Sequence, residues 1–206
     1  MLHNPPKGRG DKNHYNTPMS IIVAVTKNNK TVMAADTLTS FGDAQRVSGD
    51  NCPTEKIRRL GAALLGGTGW AVYDDIIDNY VAENDVPNLT DRQAIFTFFL
   101  DFWKALHDRY TMVNDQAQAK DSPFGDLDSS FLIANRNGIY KVSQDMSVTR
   151  FNHYYAIGWG SDYALGALYN LYRDKDDAET IAQQAVKTAI EFNVHCGGEI
   201  TLMDVE

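Results

Sequence analysis

The sequence predicts an α+β fold of stacked sheets and helices, and three observations carry that expectation. Short apolar runs, rich in β-branched residues, come in pairs around polar turns, as in "SIIVAVT", "KNNK" and "TVMAAD" from Ser20 to Asp36. Long amphipathic patterns also come in pairs, and the two kinds stay segregated along the chain. No regular strand–helix alternation appears, so layers of strand pairs and helix pairs fit better than a doubly wound parallel sheet.

The elements follow in order. The runs at 20–26 and 31–36 are apolar on both faces, which predicts strands of a buried sheet. "TEKIRRLG" and "AALLGGTG" read as a third and fourth strand. "GWAVYDDIIDNYV" sets Trp70, Tyr73, Ile76, Ile77 and Tyr80 on one helical face. "TDRQAIFTFFLDFWKALHDRY" opens with a capping box from Thr90 to Gln93. Its stripe of Ile95, Phe99, Phe102, Trp103, Leu106 and Tyr110 marks core rather than a cofactor box. Residues 113–128 are polar and read as a loop. "SSFLIANRNGIYKVS" is a hairpin around Arg136, Asn137 and Gly138. "HYYAIGWGSDYALGALYNLYRD" is a strand, a Gly-rich turn and a helix. A second helix follows, with Asp176 and Asp177 at its positive end, and "EITLMDVE" closes as a strand.

With 206 residues, 43% of them hydrophobic and 22% charged, the composition is that of a globular protein with a real core. A net charge of −8, with acidic residues spread along the chain, argues against a nucleic-acid surface. No apolar run approaches the roughly 18 residues that span a bilayer, and no apolar signal region opens the sequence. Two cysteines, Cys52 and Cys196, make no disulfide framework, which fits a reducing cytoplasm. Residues 1–19 hold three Pro and two Gly before Ser20 and almost nothing apolar. They read as a disordered tail, whether a propeptide or the result of a start assigned too far upstream. Residues 20–206 then form a single domain.

Several familiar chemistries are missing. "GWGSD" is no G-x-S-x-G elbow, because Ser161 stands one place late, at a plausible helix cap. "GGTG" lacks the Lys of a P-loop. The five histidines, His3, His14, His107, His153 and His195, are scattered, and His195 beside Cys196 is not a zinc site. No cofactor or metal is required by any motif. Ser20, Asp36 and Lys56 remain. By residue type alone each has a plain structural reading as well: a strand start, a strand end and a sheet edge.

Those three residues stand in segments that resemble proteasome β-type subunits and the bacterial HslV peptidase, members of the N-terminal nucleophile hydrolase superfamily. "SIIVAVTKNNKTVMAADT" is similar to the family opening, in which an N-terminal Thr begins the first strand and an Asp ends the second at the same spacing. "EKIRRL" resembles the segment with the catalytic Lys, "LLGGTG" the oxyanion segment, and "YAIGWGSDYALGALYNLY" the strand, turn and helix that close the site. "AIEFNVHCGG" resembles the stretch before the last strand. The likeness runs over essentially all of residues 20–206.

The resemblance implies a four-layer αββα sandwich and a threonine-type endopeptidase mechanism run by Ser20. An α-amine has a reference pKa of about 7.7–8.0, so a terminal Ser20 would carry its own base. Lys56 would favour the neutral amine, Asp36 would orient Lys56, and the Gly66 N–H would stabilise the oxyanion. Leu64 and Thr68 would line the substrate pocket. The resemblance further implies hexameric or heptameric rings stacked in pairs, unfolded polypeptide substrates and an ATPase unfoldase as partner. Met19 before small Ser20 is a junction whose opening would expose the amine.

Three departures stand out. Ser20 replaces Thr, Trp159 occupies a turn position where relatives have Ser, and Asn193 and Cys196 stand where proteasome subunits carry Asp and Ser. Two alternatives therefore accompany the peptidase reading: a non-catalytic ring subunit, and an amidohydrolase acting on small amides.

Overall fold

The computed structural model describes residues 20–41, 45–47, 49–85, 88–110, 127, 129–174 and 176–206. The expected tail at 1–19 lies outside them, as does the expected loop at 113–128 apart from Leu127.

Two antiparallel sheets form the centre. The first contains β1 (Ile21–Lys27), β2 (Lys30–Asp36), β10 (Tyr154–Gly158) and β11 (Ile200–Asp204), in the order β10-β1-β2-β11. The second contains β5 (Ile57–Leu60), β6 (Ala63–Gly69), β7 (Ser129–Asn135), β8 (Gly138–Val142) and β9 (Val148–Phe151), in sequence order. A small separate hairpin pairs β3 (Thr39–Phe41) with β4 (Gln45–Val47). Helices α1 (Val72–Glu83) and α2 (Arg92–Arg109) follow β6; α3 (Ser161–Leu171) and α4 (Ala178–Phe192) follow β10.

Strand alternation sorts the core into three slabs, and these define the layers. Along β1, Ile21, Val23 and Val25 pack with Leu168, Ile181 and Ala185 of α3 and α4. Their neighbours Ile22 and Ala24 turn the other way, onto Ile57, Leu64, Leu132 and Ala134 of the second sheet. That sheet's far face, with Leu65, Phe131 and Ile133, receives Ile77, Ile95, Phe99 and Phe102 of α1 and α2. The chain is thus helix, sheet, sheet, helix, as expected. Central strands apolar on both faces are what such a sandwich requires.

The β1–β2 turn at Asn28 and Asn29 has φ of 53° and 61°, the left-handed conformation that Asn tolerates and a two-residue hairpin needs. The β7–β8 hairpin pairs Asn135 with Gly138 and turns at Arg136 and Asn137. Helix starts differ from expectation in two places. The cap of α2 is Asp91, whose carboxylate accepts the Gln93 and Ala94 N–H groups, not Thr90. Trp70 precedes α1 and is 47% exposed, so it is no part of the buried stripe. Asp177 caps α4 by accepting the Thr180 N–H at 2.7 Å.

Candidate active site

The first sheet ends in a cluster built around one carboxylate. Asp36 is the last residue of β2, and its side chain is turned inward, with 1% of the residue exposed. Its Oδ1 accepts the Lys56 ammonium at 2.7 Å and the Ile21 backbone N–H at 3.1 Å. Its Oδ2 accepts the Gly197 N–H at 3.0 Å. Three donors, one of them charged, thus offset the desolvation of a buried carboxylate. Lys56, 7% exposed, donates also to the Leu38 carbonyl at 2.8 Å.

This places Asp36 and Lys56 against the peptide that joins Ser20 to Ile21. Ser20 lies just before β1, and strand alternation assigns it to the face of Ile22, between the sheets. Gly158 of β10, paired with Ile21, adopts φ +100° and presses on the Ser20 carbonyl; any Cβ there would strike that oxygen. Glycine is needed on both counts.

Gly66 sits in the middle of β6, facing the other sheet. A Cβ at this position would lie 2.9 Å from Ile22 Cγ2 and 3.2 Å from Met33 Sδ, so the close approach of the two sheets already demands glycine. The two residues expected to line a substrate pocket stand on the same strand as Gly66, with their side chains in the interior. Leu64 is fully buried in the slab between the sheets and offers no surface. Thr68 is 3% exposed, with its hydroxyl donated to the Ser130 carbonyl at 3.3 Å.

Residues 193–199 form the rear bracket. Asn193 caps α4, its side-chain amide donating to the Trp159 carbonyl at 2.8 Å and accepting the His195 N–H at 2.8 Å. Leu38 donates its N–H to Gly197, Thr37 donates its own to Glu199, and the Thr37 hydroxyl accepts the Glu199 N–H in return. Cys196 is buried against Gly160, and burial, assisted by the nearby Asp36 charge, pushes its thiol up to about 12. It is an unreactive packing residue at neutral pH.

The structure therefore brings Asp36 and Lys56 into direct contact, at the residue that follows Ser20. Sequence reasoning missed Leu38, Gly197 and Gly158, which act through backbone atoms or through lacking a side chain. The paired glycines of "CGG" were the one signal of a tight approach. Among the described residues the histidines stay apart: His107 Nδ1 contacts the Trp103 carbonyl, His153 contacts Tyr172, and His195 lies beside Trp159. Among the described residues no group of three or more His, Cys, Asp or Glu could hold a metal ion, and no helix is long and apolar enough to cross a membrane.

No family model matches the chain. It is 25% identical over 189 residues to the ATP-dependent protease subunit HslV of Pseudothermotoga lettingae, covering 89% of this chain and 96% of that one. The solved structure of Thiobacillus denitrificans BPH in complex with epoxomicin is 33% identical. It superposes with a TM-score of 0.82 over 90% of this chain and 98% of its own. Eukaryotic HslV from Trypanosoma brucei, at 18% identity, shares the fold with a TM-score of 0.63 over 90% of this chain and 99% of its own.

Proposed function

Because the chain belongs to the HslV-like, proteasome-type family of N-terminal nucleophile hydrolases, we propose that it hydrolyses peptide bonds with Ser20 as nucleophile once the Met19–Ser20 bond is open. The observation that carries this reading is the shared Asp36 oxygen, which ties the Lys56 ammonium to the N–H of the residue after Ser20.

In the proposed reaction the Ser20 amine takes the proton from its own hydroxyl, and Oγ attacks the peptide carbonyl carbon. The nearby positive charge of Lys56 favours the neutral amine at the start and steadies the developing alkoxide. Asp36 holds Lys56 in place. The Gly66 N–H supports the oxyanion of the tetrahedral intermediate. Collapse breaks the C–N bond, the ammonium proton passes to the leaving amine, and an ester on Ser20 remains. Water, deprotonated by the same amine, adds to the ester; the C–O bond breaks and Oγ recovers its proton. No cofactor enters.

Residues 20–206 act here as one domain, residues 1–19 being removed. The subunit assembles into stacked rings of six or seven, which confine the protease to unfolded chains, and an ATPase delivers them. The setting is the cytoplasm. A second reading, a ring subunit without activity, draws on Trp159 in the turn beside Ser20.

The test is intact mass followed by labelling. The purified protein is expected to begin at Ser20 and to take epoxomicin there, with the adduct located by peptide mass mapping and absent in Ser20→Ala. Retention of residues 1–19 with no label at Ser20 would overturn the reading.

A further inference from the structure

Trp159 is one of the three places where the chain departs from the pattern it resembles, and its surroundings are built rather than accidental. It directly follows Gly158, where a Cβ would strike the Ser20 carbonyl, so its main chain stands one residue from the strand position beside the candidate nucleophile. The main chain on both sides is fixed. Gly160 has no room for a Cβ, which would lie 2.8 Å from both Ala189 Cβ and Cys196 Sγ, and the Trp159 carbonyl is held by the Asn193 amide.

The ring is supported as well. His195 meets it edge to face, with centroids 4.6 Å apart and planes at 69°, the geometry that aromatic quadrupoles prefer. His195 is itself set by its N–H bond to Asn193, which is anchored in turn by its N–H bond to Ala189. The His195 Nδ1 is buried without a hydrogen-bond partner among the described residues, so that nitrogen is not what orients the imidazole. The same segment donates the Gly197 N–H to Asp36, which puts the aromatic pair and the candidate site on one frame. Yet 41% of Trp159 stays exposed. A large apolar ring, braced on one side by His195, 41% exposed, and carried on the turn that follows the Gly158–Ile21 pair, is a surface for a ligand side chain.

Resting on the peptidase reading above, we infer that Trp159, braced by His195, forms one wall of a specificity subsite for an aromatic or bulky apolar substrate side chain flanking the scissile bond. Trp159 would touch that side chain; His195 is a positioning residue that sets the indole angle.

The experiment compares internally quenched peptides that differ in a single residue, Phe or Ala, on either side of the scissile bond, using the assembled protein as purified. At one of the two positions the Phe peptide is expected to exceed the Ala peptide at least about tenfold in kcat/KM, the scale of apolar pocket discrimination. Trp159→Ala should collapse that ratio to within about twofold, chiefly by raising KM for the Phe peptide. Trp159→Phe should keep most of it, and His195→Ala should lower it partway. Trp159→Leu makes the same comparison should the alanine variant be insoluble. A wild-type ratio near one at both positions, or a ratio unchanged in Trp159→Ala, overturns the subsite. An unchanged ratio with a smaller sedimenting species assigns the indole to a contact between copies, and also overturns it. Epoxomicin labelling at Ser20 separates the levels. Label without selectivity sinks only the subsite; no label and no cleavage of any peptide sinks both proposals.

Discussion

Lys56 Nζ and Asp36 Oδ1 stand 2.7 Å apart, with 7% and 0% of their side chains exposed. A pair so buried is costly to break from one side. Lys56→Met leaves a carboxylate with two backbone donors and no counter-charge, and is expected to lower unfolding stability by about 3–5 kcal/mol. The double variant Lys56→Met with Asp36→Asn should recover much of that loss in denaturant titration, while remaining without peptidase activity. Equal instability of the single and double variants would mean that packing, not charge, holds this corner.

Gly66 offers a separation of roles. Its missing Cβ makes room for Ile22 and Met33 of the facing sheet. Gly66→Ala is therefore expected to destabilise the fold by about 1–3 kcal/mol through overpacking. Adding Ile22→Val removes the Cδ1 methyl, 3.0 Å from the new atom, though Cγ2 at 2.9 Å remains, so rescue should be partial. Stability is read by chemical denaturation. Full rescue, or none, would show that the contact with Cδ1 has been misjudged.

The strands were legible where burial imposes β-branched residues on both faces, as from Ile21 to Val25, and the hairpin turns were legible from Asn28 and Asn29. The β3–β4 hairpin was not, because three-residue strands such as Gln45–Val47 are too short to carry a period. Asp36 and Lys56 had ordinary structural readings by residue type; the order of similar segments singled them out, and the fold gave them their contact. Leu38 and Gly197 contribute a carbonyl and an N–H, groups that every residue has and no motif marks. Leu64 and Thr68 are ordinary strand residues by type, and the strand that carries Gly66 turns both of them into the interior.

The start of α2 separates two caps that the sequence presents side by side. Asp91 accepts two N–H groups, at 2.9 and 3.0 Å, and stands in extended backbone just before the helix. Asp91→Ala should cost about 1 kcal/mol of stability, within the usual range for losing such a cap. Thr90→Ala, one residue too early to serve as the cap, should cost clearly less by the same thermal or denaturant measurement. A larger effect at Thr90 would restore the capping box anticipated from Thr90 to Gln93.

Cys196 supplies a pH dependence whose sign can be worked out. Its thiol titrates near 9 when unfolded and is pushed up to about 12 in the fold, first by burial and then by the charge of Asp36. Between those values the unfolded chain has released the proton and the folded chain still holds it, so stability falls as pH rises. Below about 9 this contribution is fully present and flat. Across the window from about 9 to about 12 the wild-type protein should lose stability more steeply than Cys196→Ala, in denaturant titrations at stepped pH. In the folded state at neutral pH, a thiol reagent should modify half-buried Cys52 well before Cys196. Parallel slopes for the two proteins would show that the thiolate is tolerated between α4 and the turn at Gly160.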